Sequence, residues 1–193
     1  MNRVCVFCGS SLGTSPHYTA AAQRIGAILA HRQITLVYGG GNVGLIGVLA
    51  NAVLGAGGDV IGVIPQALAD LEVAHTGLPD LRIVGSMHER KALMADLSDG
   101  FIALPGGIGT LEELCEILTW AQLGMHAKPC GVLNVQGYFD HLTTFLDHTV
   151  RERFFRAEHR AMLLIEDDPD TLLNRFDAYR PPQLEKWINR RST

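Results

Sequence analysis

Apolar residues gather along the chain in short unbroken runs. Each run ends at glycine, proline or serine and gives way to a longer stretch where apolar residues recur every three or four positions. The short runs fall at 3–8, 34–38, 59–64, 81–84, 100–104 and 130–135, with a weaker one at 161–165. Continuous apolar runs of this length predict strands covered on both faces. The stretches at 16–30, 45–54, 86–97, 111–123, 139–151 and 169–176 predict helices, and 66–79 reads as loop with a short helix. Strands alternating with helices predict a Rossmann-like α/β fold, a doubly wound parallel sheet with helices on both faces. Such sheets bind ligands beyond the carboxyl ends of their strands, where the strand order reverses. Three glycine-bearing loops fall at strand ends: Gly9-Ser10-Ser11, Gly39 to Gly44, and Pro105 to Thr110.

The third loop, Leu104-Pro105-Gly106-Gly107-Ile108-Gly109-Thr110, turns from strand into helix. Glycine there lets backbone approach a ligand without a Cβ in the way, and the helix start offers unpaired N–H groups. With the helix dipole added, this is an anion site suited to phosphate, and Glu113 follows one turn later. Thr110-x-x-Glu113 also fits a capping box, which accounts for both residues without chemistry. Gly39-x-Gly41-x-x-Gly44 matches the dinucleotide fingerprint, but the next strand ends Ile64-Pro65-Gln66 with no carboxylate for a ribose. Those glycines therefore read as a close-approach loop for a mononucleotide. Ser86-x-x-Glu89 is a second capping box. Arg90 and Lys91 follow it early in a helix, where the dipole disfavours cations, so they either hold an anion or form a solvated face.

Length and composition narrow the rest. At 193 residues the chain suits one nucleotide-binding domain over 1–180 with a C-terminal tail at 181–193. A net charge of −4 argues against a nucleic-acid or membrane partner. The N-terminus carries no signal-peptide core and no run reaches spanning length, so a cytoplasmic protein is expected. Cys5-x-x-Cys8 resembles a metal or redox pair, yet strand alternation sends the two side chains to opposite faces. Cys115 and Cys130 read as small buried hydrophobes. The eight histidines form no zinc helix, so no metal site is expected. On the helix after the third loop, Leu111, Leu114, Cys115, Leu118 and Ala121 make a core stripe. Ile117 and Trp120 continue a second stripe, which either meets another subunit or packs under a loop.

Four motifs in order carry a family resemblance: Cys8-Gly9-Ser10-Ser11, Tyr38-Gly39-Gly40-Gly41-x-x-Gly44-Leu45-x-Gly47, Met87-His88-Glu89-Arg90-Lys91, and Pro105-Gly106-Gly107-x-Gly109-Thr110-x-Glu112-Glu113. They resemble the Lonely Guy family of cytokinin-activating phosphoribohydrolases, formerly grouped as lysine decarboxylase-like proteins, from Arg3 to about Phe154. The resemblance implies hydrolysis of the N-glycosidic bond of purine nucleoside 5′-monophosphates, with N6-substituted adenine or AMP as substrate, to free base and ribose 5-phosphate. No metal or redox cofactor is implied. Arg90 and Glu113 align with the family's catalytic pair, and Glu72, Lys91, Gly106, Gly107, Gly109, Thr110 and Thr119 with its substrate site. A homodimer with sites near the interface is also implied. A non-catalytic nucleotide carrier or sensor is the competing reading, since fold does not fix function.

Overall fold

The computed structural model describes residues 1–71, 74, 75 and 77–182. Each apolar run becomes a strand: β1 (Arg3–Phe7), β2 (Thr35–Tyr38), β3 (Val60–Pro65), β4 (Asp80–Val84), β5 (Gly100–Ala103), β6 (Cys130–Leu133) and β7 (Leu163–Glu166). Every neighbouring pair runs parallel, in the order β4-β3-β2-β1-β5-β6-β7. Strands added after β1 first go one way and then, from β5, the other. The order therefore reverses between β1 and β5, and the crevice of such a sheet lies beyond their carboxyl ends.

The helices are α1 (Pro16–His31), α2 (Gly44–Gly55), α3 (Gln66–Ala69), α4 (Met87–Leu97), α5 (Ile108–Gln122), α6 (Asp140–Arg151), α7 (Ala157–Arg160) and α8 (Pro169–Ala178). Alternation along β1 divides the core. Val4, Val6 and Cys8 pack with α1, α2 and α8, while Cys5 and Phe7 pack on the other face with α4 and α5. Ala103, Val132 and Leu163 extend that second face under α5 and α6. Cys5 and Cys8 thus lie in different layers, as alternation requires. The one-turn α7 has no period long enough to read from sequence, and the last strand begins two residues later than its apolar run suggests.

Two expectations on α5 need correction. Its N-cap is Gly107, which leaves Thr110 inside the first turn, so Thr110 and Glu113 do not form a capping box. The buried positions are Thr110, Leu114, Ile117 and Ala121, and Cys115 is exposed. Ile117 belongs to the core and Cys115 to the outside because the helix packs rotated from the stripe expected. At α4 half of the capping box forms: Ser86 Oγ accepts from Glu89 N at 3.1 Å, while Glu89 Oε2 accepts at 2.7 Å from Gly85 N, one residue before the cap.

Candidate active site

The turn from β5 into α5 is held on three sides. Gly9 N donates to the Pro105 carbonyl at 3.1 Å, tying the β1 loop to it. Tyr138, from the loop after β6, donates its hydroxyl to the Gly106 carbonyl at 2.6 Å. Thr110, 4 % exposed, fills the inside of the turn so closely that a Cβ on Gly106 would come within 2.1 Å of its Oγ1. Gly107 and Gly109 differ: a Cβ on either would meet nothing within 4 Å. Among the described residues no side chain caps α5, and its first turn carries no acidic residue. Its leading amides therefore remain available to an anion. A cleft of about 270 Å³ opens beside them, walled by the β1 loop, Tyr18, Leu45 and Tyr138.

Arg90 and Glu113 come from different helices and meet at the strand ends. Arg90 Nη1 donates to Glu113 Oε1 at 2.9 Å, and the side chains are 13 % and 12 % exposed. Arg90 is fixed a second time by its Nε, which donates to the Val63 carbonyl at the end of β3 at 3.2 Å. Burial pushes the Glu113 carboxyl above its ordinary range, and the Arg90 guanidinium beside it only partly offsets that push. The pair borders a crevice of about 40 Å³ with Cys8, Tyr38 and Gly39. Cys8 is pushed well above the ordinary thiol range, first by burial and then by Glu113. It is therefore a thiol and no nucleophile at neutral pH.

The loop from Gly39 to Gly44 shows what its glycines do. A Cβ on Gly39 would lie 2.1 Å from Arg90 Nη2, so this glycine makes room for the guanidinium. Gly44, at φ +55°, presses on the backbone of Ser10, where a Cβ would sit 2.2 Å from its carbonyl carbon. The loop is braced from the far side, where His75 N donates to the Gly40 carbonyl at 2.8 Å and His75 Nε2 lies 3.0 Å from Asn51 Oδ1. The close approach read from sequence is thus made to protein groups.

Of the expected site residues, Arg90, Glu113, Gly106, Gly107, Gly109 and Thr110 come together around the crevice and the α5 turn. Lys91 is engaged elsewhere: its Nζ donates to Glu112 at 2.6 Å and Glu116 at 3.0 Å, bridging α4 to α5. Thr119 lies on the exposed side of α5, its hydroxyl donating back to the Cys115 carbonyl at 2.7 Å. Glu72 lies outside the described residues. Tyr138 was not singled out from sequence, although its place just after a strand of a parallel sheet is the signal that could have found it.

The family model described as "Possible lysine decarboxylase" matches residues 46–176. "Probable cytokinin riboside 5'-monophosphate phosphoribohydrolase LOGL9" of Oryza sativa subsp. japonica is 51% identical over 179 residues, covering 93% of this chain and 79% of that protein. "Cytokinin riboside 5'-monophosphate phosphoribohydrolase LOG7" of Arabidopsis thaliana is 48% identical, covering 93% and 82%. Among solved structures, the molybdenum cofactor carrier protein MCP of Chlamydomonas reinhardtii superposes with a TM-score of 0.70 at 19% identity, covering 92% of this chain and 99% of that one. That likeness is one of fold. Four motifs in order, the family match and relatives about half identical over 93% of the chain together make this protein a member of the Lonely Guy family, whose family model bears the lysine decarboxylase description.

Proposed function

We propose that this protein hydrolyses the N-glycosidic bond of purine nucleoside 5′-monophosphates, N6-substituted adenine nucleotides and AMP among them, releasing free base and ribose 5-phosphate. The observation that carries this reading is the Arg90–Glu113 pair, 2.9 Å apart and mostly enclosed, beside the uncapped start of α5. The names of relatives 48% to 51% identical support the substrate class. The 5′-phosphate rests on the amides of Gly107, Gly109 and Thr110, with Gly106 packed behind them. Glu113 follows Thr110 by about 4.5 Å along the helix, at 1.5 Å per residue, and with Arg90 it takes the sugar in this reading.

In the reaction the C1′–N9 bond breaks and its electron pair leaves with the base, which takes up a proton. Water forms the new C1′–O bond and gives up a proton. Glu113 as carboxylate faces the positive charge that develops on the sugar and takes the water's proton. Its raised proton affinity suits it to that second task. Arg90 keeps its charge throughout and orients Glu113 and the ribose. Lysine decarboxylation through a pyridoxal group requires a free lysine amine, whereas among the described residues the lysine Nζ atoms, of Lys91 and Lys128, are engaged by Glu112 and Glu116 and by the Ala95 carbonyl, and Lys186 lies outside those residues.

A cytoplasmic homodimer acting on a small nucleotide completes the reading. Four free cysteines, a net charge of −4 and the exposed Cys115 on α5 support it. No helix among the described residues is long and apolar enough to cross a membrane. The test is chromatography of free base after incubation with a panel of nucleoside monophosphates. Wild type is expected to release base, and Glu113→Ala to lose at least about a hundredfold in rate, the low end for a positioned acid or base. Undiminished release by the variant, or binding without product by the wild type, would defeat the proposal.

A further inference from the structure

The turn that receives the phosphate is held by a residue to which neither the family motifs nor the catalytic pair assigns a part. Tyr138 Oη donates to the Gly106 carbonyl at 2.6 Å, shorter than most hydrogen bonds between neutral groups. That carbonyl shares a planar peptide unit with the Gly107 N–H, and in a trans peptide the two point in opposite directions. Fixing the oxygen therefore fixes the aim of the first free amide of α5. A donor on the oxygen also polarises the unit and strengthens the N–H as a donor in turn.

Tyr138 is itself held in place. Its ring meets Tyr18 edge-on at 5.6 Å between centroids and Phe139 edge-on at 5.1 Å. Phe139 is 1 % exposed, and its N–H donates to Asn134 Oδ1 at 2.7 Å, anchoring the segment to the end of β6. Tyr138 also walls the cleft of about 270 Å³ in front of the Gly106–Gly107 peptide. A tyrosine so fixed, with its one donor spent on the back of the phosphate turn, has a geometric task.

We infer that Tyr138 is a positioning residue for the substrate's 5′-phosphate, acting through the Gly106–Gly107 peptide. This rests on the phosphate lying at the start of α5, as proposed above, but not on turnover. The experiment is calorimetric binding of ribose 5-phosphate and of adenosine to wild type and to Tyr138→Phe. Phenylalanine keeps the ring contacts and removes only the hydroxyl. The Kd for ribose 5-phosphate is expected to rise about fivefold to tenfold, the effect of losing one hydrogen bond, while the adenosine Kd stays the same. An unchanged ribose 5-phosphate Kd overturns the inference. Equal weakening of both ligands overturns it too, since a loosened fold would not discriminate, as does a wild type that fails to bind ribose 5-phosphate. A protein that binds as described yet releases no base would leave the positioning role standing and remove the hydrolase reading alone.

Discussion

Burial and a neighbouring guanidinium pull the Glu113 carboxyl in opposite directions, and burial is the stronger. The sign for catalysis follows. A raised proton affinity means the carboxylate is lost, as pH falls, above the ordinary glutamate value of 4.5. If the carboxylate form is the active one, the acid limb of kcat/KM lies at higher pH than a solvated glutamate would give, and a pH–rate profile reads it directly. A limb at or below 4.5 would show that another group governs the rate. Gly39 offers a separate lever on the same pair. A Cβ there would lie 2.1 Å from Arg90 Nη2, the far end of a flexible side chain that can swing aside. Swinging aside breaks the bonds to Val63 and Glu113, because Arg90 serves both at once. Gly39→Ala is therefore expected to cost about 1–3 kcal/mol in stability, because a largely buried ion pair and a hydrogen bond are lost, and to lose about a hundredfold in kcat/KM through a misplaced Arg90–Glu113 pair. Thermal melts beside steady-state kinetics would check both halves, and full activity would mean that Arg90 need not sit where it does.

At the scale of elements, the turn from β5 to α5 separates two kinds of glycine that look alike in sequence. Gly106 is boxed in by Thr110 and by Gly9 N, which a Cβ would approach to 2.8 Å. Gly107 faces open space. Urea unfolding is expected to show Gly106→Ala destabilised by about 1–3 kcal/mol, the usual cost of overpacking. Gly107→Ala should stay near wild type in stability while nucleotide binding weakens, because its methyl meets no protein atom within 4 Å and Gly107 lines the cleft at the start of α5. Equal stability losses in both variants would contradict the assignment. The same turn shows what was legible beforehand. Every strand could be read, because each is an apolar run bounded by glycine, proline or a polar turn, and the helices between them forced a parallel sheet. The phase of α5 could not, because its apolar residues surround more than one face and only packing selects Ile117 over Cys115. The capping box failed for a related reason. Threonine and glutamate at the right spacing satisfied the pattern, but Gly107, without a side chain, took the cap position, leaving Thr110 to fill the turn and Glu113 to pair with Arg90. Arg90 and Glu113 stand 23 positions apart. Periodicity places each early in a helix but does not pair them, and the family motifs supplied that pairing.

The whole molecule sets the last question, since one side of α5 has no cover among the described residues. Cys115 and Thr119 lie exposed there, while Lys91, Glu112 and Glu116 lock α4 alongside. Met87 on α4 is 43% exposed, and Trp120 is only partly covered by the core beneath it. Small and apolar residues outside a rigid helix pair are what a second copy of the same surface could meet across a twofold axis. This arrangement would also give Thr119, which faces away from the crevice of its own chain, a route to a neighbour's site. Sedimentation velocity at micromolar concentration is expected to show a species of twice the 21.0 kDa chain mass. Cys115→Arg, which sets a charge on the exposed side without touching the core, should shift that species to the monomer. If the proposed sites need the partner surface, base release should fall with the dimer and recover at protein concentrations that restore it. A wild type that sediments as a monomer while releasing base at full rate would show that each chain carries a complete site, and that the open side of α5 serves something else.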